Sequence, residues 1–126
     1  MRRAAGLLGF LLLAGIITPP VATAADEAIT IVGRFYPTPG REDELEARPL
    51  KSVEFVRKAE PNISYRVHRS TKGPTVFLYY EVYPSQAAFD YHVKTTLPAL
   101  RKEVGPPPEG IFAKPPEVEF YRALTE

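Results

Sequence analysis

The sequence from residue 60 to residue 96 reads EPNISYRVHRSTKGPTVFLYYEVYPSQAAFDYHVKTT and contains both histidines of the chain. Residues 62–70 alternate between apolar and polar, and residues 75–83 are almost wholly apolar and aromatic; both patterns are typical of β-strands. The connection 71–74 contains glycine and proline, which predicts an antiparallel hairpin. Ser85 then predicts a helix start, as its N-cap. The stretch is therefore predicted to fold as strand, strand and helix.

The segments on either side extend this pattern to a complete fold. Residues 29–36 are rich in β-branched and aromatic residues and predict a first strand, whereas residues 117–122 alternate and predict a last one. Residues 41–59 predict a helix whose acids cluster in the first turn, where they favour the helix dipole. The order β-α-β-β-α-β is that of the ferredoxin-like α+β fold, a four-stranded antiparallel sheet with helices on one face.

Prolines and apolar spacing add detail to these elements. Pro49 is expected to kink the first helix or divide it into two, and Pro98 to divide the second. The third strand is predicted to be central and buried on both faces. The apolar residues of each helix predict its buried stripe. These are Leu50, Val53, Val56 and Ala59 in the first helix, and Phe89, Val93, Leu97, Leu100 and Val104 in the second.

The first 24 residues have the pattern of a secretory signal peptide. Arg2 and Arg3 precede an apolar run from 4 to 17, and Ala22-Thr23-Ala24 fits a small-x-small cleavage site. A membrane anchor is the alternative, but the run is shorter than the roughly 20 residues that span a bilayer. We therefore predict that a single domain, residues 25–126, is secreted or periplasmic and has no membrane association after cleavage.

Composition narrows the classes of partner and cofactor. Loss of Arg2 and Arg3 would change the formal net charge from +1 to −1, and such a chain offers no electrostatic case for binding nucleic acid. The chain has no cysteine and only two histidines, at positions 68 and 92, which argues against a dedicated metal site. It also has no glycine-rich phosphate loop. The expectation is therefore no metal, no nucleotide cofactor and no nucleic-acid partner.

The order of landmarks in residues 60–96 resembles that of the antibiotic biosynthesis monooxygenase (ABM) domain family, which includes quinol monooxygenases. The landmarks are an acidic-Pro turn into a strand ending His68-Arg69-Ser70, the Tyr80-Glu81 pair, and a helix carrying Ala88-x-x-x-His92. The resemblance implies a homodimer formed through the sheet faces, a dimeric α/β-barrel-type assembly. Where the family commonly has Arg-Trp, this chain has Val82-Tyr83.

His92 and Glu81 are the candidate catalytic residues. His92 lies beside the Phe89/Val93 stripe, at the edge of the core, and the resemblance implies a histidine that lines the substrate cavity. It could equally be a boundary histidine satisfied by a backbone carbonyl. Glu81 is an acid within an apolar strand, so it must be paired, hydrogen-bonded or have a raised pKa. An ion pair with an arginine, such as Arg34, Arg66 or Arg122, is the alternative to a functional role.

Four tyrosines are candidates for binding a flat phenolic ligand, although aromatic residues also simply fill strands and interfaces. They are Tyr65, Tyr79, Tyr83 and Tyr91. By resemblance, the predicted function is cofactor-independent oxygenation of a quinol or polyphenol, with His92 as the base, because imidazole titrates near neutral pH. Two alternatives are a non-catalytic dimeric module that binds a small aromatic ligand, and a structural dimer whose tyrosines fill the cavity.

Overall fold

Four strands and three helices follow one another in residues 27–125, which are the residues described in the computed structural model. In chain order the elements are β1 (Ile29–Phe35), α1 (Glu42–Ala59), β2 (Ser64–Arg69), β3 (Phe77–Tyr83), α2 (Gln86–Tyr91), a π-helical turn (His92–Thr96), α3 (Leu97–Val104) and β4 (Glu117–Tyr121). The predicted order of strands and helices is confirmed. The signal peptide predicted for residues 1–24 lies outside the described residues and stays a prediction.

The strands form one antiparallel sheet in the order β2-β3-β1-β4. This is the ferredoxin-like arrangement, and it places β1 and β3 at the centre, as predicted for β3. Two clusters attach the helices to one face of the sheet. In one, Leu45 of α1 packs with Phe77 and Ile111; in the other, Val56 of α1 and Leu100 of α3 pack against Tyr65. We call the helix-covered side the inner face.

Strand register determines which side chains share a face. Glu81 is opposite Ile31 and Tyr65, and Tyr79 is opposite Gly33, so these residues point to the inner face. The outer face carries the intervening residues, among them Arg34, Arg66, Leu78, Tyr80 and Glu119. No helix in residues 27–125 covers this face, and Tyr80 is exposed. The expectation that β3 is buried on both faces is therefore wrong for the single chain, and the dimer that would cover it stays a prediction.

Helix α1 is continuous through Pro49, so of the two predicted outcomes the division of this helix is wrong, and the kink stays a prediction. The missing hydrogen bond at proline costs about 3 kcal/mol, but α1 packs against a core cluster near each end, and such packing supplies most helical stability in proteins. Its buried residues are Leu45, Pro49, Ser52 and Val56. Only Val56 was in the predicted stripe, and Leu50 is exposed. The buried face thus includes a serine and a proline.

Ser85 caps α2 as predicted, since its side chain accepts a hydrogen bond from the Ala88 N–H at 3.1 Å. The second helical segment is divided near Pro98, also as predicted, but by a π-helical turn that the sequence did not suggest. Pro98 has no N–H for the carbonyl four residues earlier. In the preceding turn the Leu97 N–H donates to the His92 carbonyl, five residues back. The extra residue changes which side chains face the core.

Candidate functional site

His92 is the first residue of the π-helical turn, and its side chain is buried beneath the inner face. Its ring centroid lies 5.1 Å from that of Tyr83 and 5.9 Å from that of Tyr65. His92 and Thr96 are the buried residues of this turn, whereas Val93, which belonged to the predicted stripe, is exposed. Because of the turn, the histidine lies inside the fold and not at its boundary. π-helical turns frequently occur at functional sites.

Glu60 is the hydrogen-bond partner of His92. The His92 Nδ1 and Glu60 Oε2 atoms are 2.6 Å apart, and both side chains are about 95% buried, with exposures of 5% and 6%. When the Glu60 carboxyl is ionised it only accepts hydrogen bonds, and Nδ1 then carries the shared proton. The pairing fixes the ring orientation, and in the neutral imidazole it leaves Nε2 as the acceptor. We call these two residues the Glu60–His92 pair.

Glu60 was treated in the sequence only as part of the acidic-Pro turn, and its role in the site was missed. It follows the last residue of α1, and its backbone N–H donates to the Val56 carbonyl at 2.8 Å. A carboxylate at a helix C-terminus is unfavourable beside the negative end of the dipole, so an acid at this position needs a compensating partner. That conflict is the signal that could have identified Glu60.

Glu81 points into the same region from β3. The Tyr83 hydroxyl donates to Glu81 Oε2 at 2.6 Å. Burial raises the pKa of the Glu81 carboxyl, while the Tyr83 hydrogen bond and nearby His92 oppose that rise. The alternative for Glu81 was an ion pair with an arginine such as Arg34. Arg34 pairs instead with Glu119 on the outer face. Glu81 is thus a carboxyl whose neutral form is favoured by its surroundings.

His92, the ring of the Glu60–His92 pair, and Glu81 both line a cavity of about 440 Å³ beneath the sheet. We call it the main cavity. Its lining includes His92, Glu81, Tyr65, Tyr79, Tyr83, Ile31, Phe35, Ser52, Phe89, Leu97, Leu100 and Arg101. Val93, Val118 and Phe120 also line it and are exposed, so they form its mouth. The volume lies within the range of small-molecule sites.

The predicted tyrosines divide into two groups. Tyr65, Tyr79 and Tyr83 line the main cavity, whereas Tyr91 is exposed and is not among the lining residues. Burial raises the pKa of Tyr79 to about 12 and also raises those of Tyr65 and Tyr83. These phenols therefore stay protonated at neutral pH, where they can donate hydrogen bonds but cannot act as bases.

The described residues give less evidence for any other kind of functional site. His68 and Arg66 lie on the outer face and are exposed, which agrees with the solvated or interfacial role predicted for them. In residues 27–125 no three His, Cys, Asp or Glu residues are grouped so that they could hold a metal ion. The same part of the chain contains no helix with the length and apolarity needed to cross a membrane. The main cavity remains the candidate site.

Comparison with known proteins connects this site to a family. Residues 28–99, more than half of the chain, match the family model described as "Antibiotic biosynthesis monooxygenase". This segment includes Glu60, Glu81 and His92. The uncharacterized protein sll1783 of Synechocystis sp. is 29% identical over 122 residues, which cover 92% of this chain and 81% of that protein.

Solved structures share the fold at low sequence identity. A Caulobacter crescentus protein with the same family assignment has a TM-score of 0.64 at 24% identity, with 80% of this chain and 93% of that chain covered. Rv0793 of Mycobacterium tuberculosis has a TM-score of 0.60 at 24% identity, covering 79% and 97%. PA3566 of Pseudomonas aeruginosa has a TM-score of 0.61 at 19% identity, covering 80% and 98%. The chain belongs to the antibiotic biosynthesis monooxygenase family.

Proposed function

We propose that this protein is a monooxygenase that needs no cofactor and oxidises a quinol or polyphenolic small molecule, with His92 as the base. The observation that carries the proposal is the buried Glu60–His92 pair beside an aromatic cavity. A carboxylate that holds one imidazole nitrogen leaves the other free to accept a proton. Membership of a monooxygenase family supports the same reaction class.

The reaction begins when His92 Nε2 removes the proton of a phenolic hydroxyl. Glu60 stabilises the imidazolium that forms, as a carboxylate does when it orients a catalytic histidine. The resulting phenolate transfers one electron to O₂, and the two radicals combine to form a carbon–oxygen bond at an unsubstituted ring carbon ortho to the hydroxyl. This intermediate is a peroxide anion, and the mainly apolar lining of the main cavity limits its contact with water.

The peroxide then breaks at its O–O bond. The ring carbon loses its C–H bond as its oxygen becomes a carbonyl, and the distal oxygen leaves with that hydrogen as hydroxide. Hydroxide takes the proton held by His92, which yields water and restores the neutral imidazole. One oxygen atom of O₂ ends in the quinone product and the other in water, so atoms and electrons balance.

Glu81 and the tyrosines orient the substrate in this proposal. A carboxyl that is neutral can donate a hydrogen bond to a substrate oxygen, and the raised pKa of Glu81 favours that form. Tyr65 and Tyr79 are two of the aromatic side chains that line the cavity, and their rings pack 5.8 Å apart in an edge-to-face geometry. They would hold a flat ring in place. The role predicted for Tyr91, binding of the substrate, stays a prediction.

The experiment that tests this proposal is oxygen uptake by the purified, metal-stripped chain with a panel of quinols. His92→Gln is the variant of choice, because the glutamine amide can still donate to Glu60 while the base is lost. We expect uptake to fall by about 10²-fold or more, the usual contribution of a general base. Leu50→Gln, at an exposed position of α1, is the control and should leave uptake unchanged. Uptake that His92→Gln does not reduce would refute the assignment.

A binding module for a small aromatic ligand is the second candidate. It is favoured by the absence of tryptophan and by Val82-Tyr83, which replace the Arg-Trp common in the family. This candidate predicts no oxygen uptake together with ligand binding. Ligand binding would appear as an increase in thermal stability, because a ligand that binds only the folded chain stabilises it.

We also propose that the protein acts outside the cytoplasm as a homodimer. The signal-peptide pattern of residues 1–24 supports export, and the uncovered outer face supports association through the sheets. If the chain kept residues 1–24 after expression in its native host, export by a cleaved signal peptide would be contradicted. A monomer mass in light scattering at micromolar concentration would contradict the homodimer.

A further inference from the structure

A second cavity, of about 300 Å³, adjoins the main cavity. We call it the side cavity. Three residues, Phe35, Ser52 and Tyr79, line both cavities, so the two cavities meet at these side chains. The other lining residues are Leu45, Arg48, Pro49, Phe77, Val104, Pro107, Phe112 and Pro116. The mechanism proposed above uses the main cavity and assigns no role to the side cavity.

The shared wall consists of aromatic side chains above a glycine. The Phe35 and Tyr79 ring centroids are 4.9 Å apart. A Cβ atom at Gly33 would lie 3.3 Å from a carbon of the Phe35 ring and 3.7 Å from the Tyr79 Cβ, which is a tight fit. Side chains and not backbone therefore separate the cavities, and half-buried aromatic side chains can rotate to admit a ligand.

The far wall of the side cavity is held in place by backbone hydrogen bonds. The Ala113 N–H donates to the Tyr36 carbonyl at 2.8 Å, and the Thr38 N–H donates to the Ile111 carbonyl at 2.9 Å. Ile111 is buried in the core. The loop that carries Pro107, Phe112 and Pro116 is thus tied to the end of β1, and the cavity is formed before a ligand arrives.

The side cavity suits an apolar occupant. The polar side chains in its lining are Arg48, Ser52 and Tyr79; Arg48 Nη2 donates to the Gly105 carbonyl at 2.7 Å, and the Ser52 hydroxyl donates to the Arg48 carbonyl at 3.1 Å. The remaining lining is mainly leucine, valine, phenylalanine and proline. A hydrocarbon ring would therefore gain from burial against this mainly apolar lining.

We infer that the substrate has two parts, a phenolic ring in the main cavity and a second, apolar ring that lies in the side cavity. This inference rests on the proposed function and narrows its substrate class to phenols with two linked or fused rings. A single-ring phenol would fill only the main cavity. The second ring would stack against Phe35 and Tyr79 as it passes between the cavities.

Binding of phenol and 4-benzylphenol tests this inference, since the latter carries a second ring on a methylene hinge. We expect 4-benzylphenol to bind the purified chain at least about tenfold more tightly than phenol. Val104→Phe would fill the side cavity and should remove that advantage while changing phenol affinity by less than about twofold. Val104→Leu, a smaller filler, should act in the same direction if the phenylalanine variant unfolds.

Val53→Phe is the matched control. Val53 and Val104 are both partly buried against the same core cluster, but Val53 lines neither cavity. Equal affinity of the wild type for the two phenols, or an equal loss in both variants, would overturn the inference. A chain that shows the expected binding pattern but consumes no oxygen would refute the proposed monooxygenase and leave the side cavity assigned. Binding of neither phenol would overturn the two-part substrate.

Discussion

The two faces of the sheet carry the same local motif in different surroundings. On the inner face, the Tyr83 hydroxyl donates to Glu81 two residues earlier in β3. On the outer face, the Tyr121 hydroxyl donates to Glu119 two residues earlier in β4. In both strands the tyrosine and the acid lie on one side because side chains alternate with a period of two. Sequence spacing alone cannot distinguish these two pairs.

The difference between them lies in solvent and in charge. Glu119 also pairs with Arg34, and the two side chains are 43% and 33% exposed, so water and a cation both stabilise its charge. Glu81 is a partner of Tyr83 in a cavity lined by aromatic residues, where burial raises the pKa of its carboxyl. The same motif therefore gives a solvated ion pair on one face and a carboxyl suited to chemistry on the other.

The largest difference in stability should come from two variants that each remove the ion-pair partner of a glutamate. The partner is His92 for Glu60 in the site and Arg34 for Glu119 on the outer face. His92→Ala leaves Glu60 buried without its partner, and an unpaired buried charge costs about 3–5 kcal/mol of unfolding free energy. Arg34→Ala leaves Glu119 in contact with water, where the lost pair is worth at most about 1 kcal/mol. Urea unfolding at neutral pH measures both values. Similar losses for the two variants would show that the faces do not differ as described.

A smaller contrast is expected from the two tyrosine hydroxyls. Tyr83→Phe leaves a partly buried carboxyl without its hydrogen-bond donor and should cost about 1–3 kcal/mol. Tyr121→Phe removes the corresponding bond at an exposed position, where water replaces it, and should change stability by less than about 0.5 kcal/mol. Thermal or urea unfolding of both variants is the measurement. A Tyr121→Phe loss as large as that of Tyr83→Phe would contradict the role given to burial.

Strand alternation accounts for what the sequence predicted correctly. It placed Phe77, Tyr79, Glu81 and Tyr83 on one side of β3, and that grouping is confirmed. The hairpin and the Ser85 cap also followed from local chemistry, because turns and caps depend on residues close together in the chain. Alternation does not determine which side of β3 faces the helices. That depends on contacts between β3 and elements far away in the sequence.

The site itself depends on such distant contacts. Glu60 and His92 are 32 residues apart, and neither periodicity nor capping rules connect them. The π-helical turn also shifts the buried positions from Val93 to His92 and Thr96, against the regular helical spacing on which the predicted stripe relied. Propensity rules describe regular helices, so a local irregularity at a functional residue is where they are expected to fail.

The pH dependence of stability gives the smallest but most specific contrast. Because the folded-state pKa of Glu81 is raised, the native chain holds this proton more tightly than the unfolded chain does. Its contribution to stability is therefore full below the ordinary glutamate pKa of about 4.3 and is lost as pH rises through the raised folded value. Glu81→Gln keeps a neutral group at every pH and removes this loss.

We therefore expect Glu81→Gln to gain stability relative to the wild type as pH is raised from 4 to 7, as measured by unfolding at each pH. Glu119→Gln serves as the matched change on the outer face and should cost at most about 1 kcal/mol at pH 7, because the ion pair that it weakens is exposed to water. A gain in stability with pH in Glu81→Gln, beside a small loss at pH 7 in Glu119→Gln, would reflect the different surroundings of the two carboxyls. If Glu81→Gln instead lost stability toward pH 7, the carboxyl would be charged and paired in the folded chain, and its role as a neutral donor to the substrate would be wrong.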